Sequence, residues 1–185
     1  LAGWEQKRNF VHKAGEENAM LRATILSLGV LIAGCVPMAA PERPVSTANL
    51  ISSSGAVLGS VRVFNQPTGV LLRIDANGLP PGLHGVHVHT TGRCDPPGFT
   101  TAGGHWNPTT RKHGHQNPEG PHTGDLGNLG VGADGKLTAG LLVPGATFDA
   151  IRDADGSAFV IHAKADDERT DPSGNSGDRI ACAVL

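Results

Sequence analysis

The chain has 185 residues, with 15 Lys and Arg against 17 Asp and Glu, a formal charge of −2. That balance argues against a nucleic-acid binder, whose contact face is usually basic. At 38% hydrophobic and 17% charged, the chain is neither a disordered polyelectrolyte nor a multi-span membrane protein. The 26 Gly and 13 Pro favour short strands, turns and long loops over helices. Two counts stand out: nine His with no Tyr, and three Cys, an odd number.

Residues 1–19 are polar and begin with Leu, whereas Met20 and Arg22 precede an apolar run, Ala23–Ile32, that ends in Leu31-Ile32-Ala33-Gly34-Cys35. A basic residue, about ten apolar residues and a small-residue cleavage site form the signature of a secretory signal. The run is too short to span a bilayer, which takes roughly 20 apolar residues. Its end resembles a bacterial lipoprotein box, which implies lipidation at Cys35, membrane anchoring and a place in the bacterial cell envelope or periplasm. The expected organisation is an upstream segment plus signal over 1–34 with the start at Met20, a Pro-rich tether over 35–45, and a folded domain over 46–185.

From Ser46 onward, short β runs are punctuated by Gly, Pro and Asn. Val57–Phe64 and Gly69–Ile74 flank a turn at Asn65–Thr68, and Leu83–His89 follows the Pro80-Pro81-Gly82 turn. Leu126–Ala133 and Lys136–Val143 flank Asp134-Gly135, a hairpin signal. Ser157–Ala163 and Arg179–Val184 bring the named runs to seven, and the expected total is eight strands. No segment after residue 45 has ten residues of helical periodicity. The pattern predicts an all-β antiparallel sandwich or barrel. Thr90–Gly124 and Lys164–Asp178 carry no strand pattern, and loops of this length in a compact domain are usually functional.

The first long loop is rich in histidine. His87 and His89 sit two apart in a strand, so they face the same side and can reach one metal. His105, His113, His122 and Asp125 follow at intervals of 8, 9 and 3, and three imidazoles with a carboxylate suit a closed tetrahedral zinc site. His162 lies in a late strand.

The segments Gly82–His89, Ala102–Pro108, Arg111–Gly114, His122–Asn128, Val160–Asp167 and Gly174–Cys182 resemble copper/zinc superoxide dismutases. The resemblance runs over about residues 47–185 and implies an eight-stranded Greek-key barrel with two functional loops. It implies one copper per chain held by His87, His89, His105 and His162, and one zinc held by His105, His113, His122 and Asp125. His105 would bridge the two. Four imidazoles suit Cu(II), and a His₃Asp tetrahedron suits redox-inert zinc.

The same resemblance gives Asp166 the task of orienting one ligand of each metal, and makes His84 a framework residue. Arg179 would dock the anion beside copper, and Cys94 would pair with Cys182 in a disulfide, which needs an oxidising compartment. His115 has no counterpart, and His12 lies in the upstream segment. The implied activity is dismutation of superoxide to dioxygen and hydrogen peroxide, with the His105 bridge releasing copper and taking a proton during the cycle. A metal-binding module of the same fold without turnover is the competing reading.

Thr91–Cys94 looks like the exported bacterial branch, while Gly124–Asn128 and Pro172–Gly177 look like the eukaryotic branch. The two branches dimerise through different surfaces, so the resemblance allows a homodimer and leaves both the oligomeric state and its surface open. Pro172 stands where many relatives carry a lysine, which predicts weaker steering of the anion.

Overall fold

A computed structural model of the chain describes residues 42–185. The signal, Met20, His12, Cys35 and most of the tether lie outside the described residues. Eight strands form one antiparallel sheet: β1 (Ser46–Ser52), β2 (Val57–Gln66), β3 (Gly69–Ala76), β4 (Gly82–His89), β5 (Asp125–Val131), β6 (Leu137–Pro144), β7 (Ala158–His162) and β8 (Arg179–Val184). Their spatial order, β5-β4-β7-β8-β1-β2-β3-β6, brings the two edge strands β5 and β6 against each other and nearly closes a barrel. This is the expected all-β Greek-key architecture.

Alternation decides which face each strand buries. Val61 and Val63 on β2, Val70, Leu72 and Ile74 on β3, Val86 and Val88 on β4, and Phe159 and Ile161 on β7 point inward and are fully buried in one core. Each such side chain contributes roughly 1.5–3 kcal/mol through burial. On β4 and β7 the residues between them, His87, His89 and His162, therefore face outward. A second, smaller cluster of Phe99, Ala102, Ala158, Val160 and Cys182 covers that outer face beside them.

β1 had no apolar pattern to mark its limits. Among its residues only Leu50 is fully buried, and its place is set by ladders to β2 and β8 on either side. The Asp134-Gly135 turn forms, with Gly135 at φ +75° and a Gly132 N–H to Lys136 C=O bond of 3.0 Å. It does not make a hairpin ladder, however. β5 pairs with β4 and β6 with β3, so the turn crosses the seam where the barrel closes. A turn motif specifies a reversal of direction, and the partner is chosen by the sheet.

Before β1 the chain already lies against the sheet. Glu42 accepts a bond from Gln66 Nε2 (2.6 Å) and stands 3.6 Å from Arg73, whose guanidinium covers the Phe64 ring at 4.5 Å.

The two long connections pack over the outer face of β4 and β7. Cys94 and Cys182 are joined by a disulfide across 88 residues, fastening the first loop to β8. The same loop is tied to the second by the Gln116 N–H to Glu168 C=O bond of 2.9 Å and by Arg169 donating to Gln116 Oε1 at 2.9 Å.

Candidate metal centre

His87, His89, His105 and His162 bring their ring nitrogens within 4.8 Å of one another, all buried. In each ring one nitrogen is occupied. His87 Nε2 donates to Asp166 Oδ2 (2.6 Å), His89 Nδ1 to the Gly103 carbonyl (2.9 Å) and His162 Nδ1 to the Gly177 carbonyl (3.0 Å). His105 Nδ1 stands 2.8 Å from Asp125 Oδ1. The opposite nitrogens, His87 Nδ1, His89 Nε2, His105 Nε2 and His162 Nε2, are buried without any hydrogen-bond partner.

One orphaned buried polar atom would be costly, at about 1–3 kcal/mol. Four lone pairs converging on one point are the donor set of a metal ion, with each tautomer fixed from behind.

Asp125 organises a second centre. Its Oδ2 accepts the backbone N–H groups of Gly114 and His122, both at 2.9 Å. Its Oδ1 faces three Nδ1 atoms, those of His105 (2.8 Å), His113 (3.1 Å) and His122 (3.2 Å). His113 Nδ1 is buried and has no aligned hydrogen bond there. His87, His105, His113 and Asp125 also satisfy a 4.8 Å clustering, so His87 lies near both centres. His122 Nδ1, 3.4 Å from His105 Nδ1, reaches the Asp125 side alone.

Asp166 links the two. Its Oδ2 takes the His87 bond and its Oδ1 the His113 Nε2 bond at 3.0 Å, while Asn128 holds its backbone through an Nδ2 donor (2.9 Å) and an Oδ1 acceptor (2.7 Å). Gly174, at φ +62°, passes over this junction, where a Cβ would collide with Asp166 Oδ1 and come within 2.7 Å of His113 Nε2.

Electrostatics sort the groups. Burial pushes His87 to about 3, His89 to about 2 and His162 to about 4, and also lowers His105, so the orphaned nitrogens are unprotonated at neutral pH. Burial acts the same way on His113, but hydrogen bonds to Asp125 and Asp166 outweigh it and raise that ring to about 9. For Asp125 and Asp166 burial opposes ionisation, and bonds from the histidines overcome it, holding both carboxyls well below the usual range.

A cavity of about 410 Å³ opens onto His89, His105, His122 and His162 and is walled by Arg179, Pro172 and Ser173. Arg179 donates to the Phe99 and Gly103 carbonyls, both at 2.7 Å. The Gly103 carbonyl thus orients both His89 and the arginine. Burial lowers the Arg179 pKa, yet a guanidinium stays charged.

His84 is buried outside the lining of this cavity, its ring nitrogens each 2.8 Å from a backbone carbonyl, those of His162 and Pro80. His115 is half exposed, 3.7 Å from Glu168. Sequence reasoning gave no task to Asn128 or to the Gly103 and Gly177 carbonyls. The Asn128 signal was present within its motif, whereas a carbonyl acceptor leaves no mark in residue type.

Residues 57–185 match the family model described as copper/zinc superoxide dismutase. The chain is 41% identical over 144 residues to a Cu-Zn superoxide dismutase of Aquifex aeolicus, covering 75% of this chain and 84% of that one. It is 39% identical over 187 residues to the superoxide dismutase-like protein YojM of Bacillus subtilis, covering 90% and 94%. Among solved structures, a SOD-like protein from Bacillus subtilis superposes with TM-score 0.73 at 43% identity, covering 75% of this chain and 97% of that one. The Cu/Zn superoxide dismutase from Brucella abortus gives TM-score 0.63 at 30% identity, covering 76% and 98%. With the barrel, the paired donor sets and these matches in agreement, the chain belongs to the copper/zinc superoxide dismutase family and is an enzyme that uses copper and zinc to dismute superoxide.

Proposed function

We propose that His87, His89, His105 and His162 hold the copper and that His105, His113, His122 and Asp125 hold the zinc. The observation that carries this assignment is the set of orphaned buried nitrogens. His87 offers a single unpartnered nitrogen, so giving it to the first centre leaves His122 to complete the second. His105 serves both through its two ring nitrogens. Copper supplies the one-electron chemistry by which two superoxide anions and two protons become one dioxygen and one hydrogen peroxide.

The protein's own groups do the rest. Arg179 binds the anion at the cavity wall, its guanidinium aimed by the Phe99 and Gly103 carbonyls. His105 Nε2, buried and unprotonated in the metal-free fold, would hold copper, and when not holding it that same lone pair would accept one of the two protons the reaction consumes. Asp166 holds the rings of His87 and His113, so both centres keep their geometry through a common carboxylate.

We further propose that the enzyme domain spans 46–185 behind a tether over 35–45, and that export and lipidation at Cys35 anchor it in the cell envelope. The disulfide supports an oxidising compartment. The mass of the mature N-terminus decides this reading: a diacylglyceryl Cys35 supports it, and an unmodified upstream segment on the mature chain overturns it. For the metals, one Cu and one Zn per purified chain with cyanide-sensitive superoxide removal is the expected result, while bound metal without turnover would overturn the catalytic assignment. A homodimer is proposed on family grounds, and sedimentation at micromolar concentration tests it.

A further inference from the structure

Asp171, in the second long loop, is absorbed by neither donor set. Its Oδ1 accepts the backbone N–H of His113 at 2.8 Å and stands 3.9 Å from Nε2 of His122, and its Oδ2 lies 3.7 Å from Lys112 Nζ. His122 directs Nδ1 toward Asp125 and turns Nε2 toward the second loop, where that nitrogen has no hydrogen bond among the described residues. His87, His89, His113 and His162 each have an acceptor behind the ring, either Asp166 or a carbonyl. For His122 the group in that place is the Asp171 carboxylate, which faces Nε2 at 3.9 Å, too far for a direct hydrogen bond.

With a metal on the Nδ1 lone pair the ring proton would sit on Nε2, where the facing carboxylate would steady the ring. The same carboxylate fixes the backbone of His113. One side chain of the second loop therefore bears on two histidines of the first. We propose that Asp171 is a positioning residue for the zinc centre, locking the zinc-bearing loop at His113 and placing its charge opposite the ring nitrogen of His122 that points away from Asp125. It works beside Asp166, which serves the rings of His87 and His113, so each carboxylate covers what the other does not. This rests on the assignment of His122 to zinc.

The test compares the full chain with Asp171→Asn and Asp171→Glu, each stripped of metal and titrated with cobalt(II) alone against a chelator, with copper(I) affinity as the internal control. Loss of the carboxylate charge is expected to weaken cobalt binding about 10- to 100-fold and leave copper affinity unchanged, with Asp171→Glu recovering part of the loss. Long-range ¹H–¹⁵N spectra of the zinc-loaded proteins give a readout that loop packing alone would not move. The His122 Nε2–H is expected to exchange slowly in the parent and faster in Asp171→Asn.

Equal cobalt affinity and an unchanged His122 Nε2–H exchange in Asp171→Asn would overturn the proposal. If His122→Ala binds cobalt as tightly as the parent, the assignment of His122 to zinc has failed instead. Should Asp171→Asn lose copper and cobalt together, with Asp171→Glu no better, a general role in loop folding replaces the positioning role.

Discussion

Arg179 is the one cation among the described residues lining the cavity. Replacing it by Ala removes charge-assisted bonds worth about 1.5–3 kcal/mol, so kcat/KM is expected to fall about 10- to 100-fold with the copper content unchanged. A matching loss of copper would show that the arginine acts through the ligands. The histidines predict a two-sided pH dependence for the metal-free protein. His87, His89 and His162 titrate below the ordinary value of 6.5 in the fold, so the unfolded chain binds more protons between about 6.5 and the folded values of about 3, 2 and 4. Stability is therefore lost as pH falls through that window. His113, raised to about 9, contributes stability that is full below 6.5 and lost as pH rises through about 9. The unfolding temperature of metal-free protein should peak between these limits, and a monotonic profile from pH 4 to 10 would contradict both assignments.

At the scale of elements, the strands were legible because alternation writes itself into residue type. Val86 and Val88 against His87 and His89 gives both the face of β4 and its chemistry. β1 was not legible, since its place depends on two neighbouring ladders, nor was the absence of a β5–β6 ladder, since a Gly turn says nothing about hydrogen-bond partners. The metal residues could be read from spacing and motif. What orients them could be read only where a side chain does it, as with Asp166, and not where the Gly103 or Gly177 carbonyl does. Gly174 shows what the loops cost in sequence freedom. Gly174→Ala imposes a left-handed backbone and a collision with Asp166, and is expected to lower stability by about 1–3 kcal/mol and to deplete zinc before copper, as metal analysis after dialysis would show. The disulfide closes 88 residues, which in the chain-entropy model stabilises by about 4–5 kcal/mol. Reduction should shift the denaturant midpoint accordingly, and an unchanged midpoint would mean that the loop is held by its own Phe99 and Ala102 packing on Ala158 and Val160.

The whole molecule carries a net charge of −2 yet consumes an anion. Superoxide dismutases are a standard example of electrostatic steering, but here Pro172 and Ser173 form cavity wall where a further cation could stand. The rate is expected to fall only shallowly with ionic strength between 10 and 200 mM, roughly as one effective charge would give. A steep fall would show that cations beyond the cavity rim guide the substrate. The outward ligands of β4 carry one last consequence for assembly. Because its valines and histidines alternate, a pairing slip of one residue would turn Val86 and Val88 to the outside and drive His87 and His89 in among Phe159 and Ile161. Such a barrel could not form the donor set proposed for copper. With His87 and His89 holding copper as proposed, metal binding would add its energy only to copies whose strands have paired correctly.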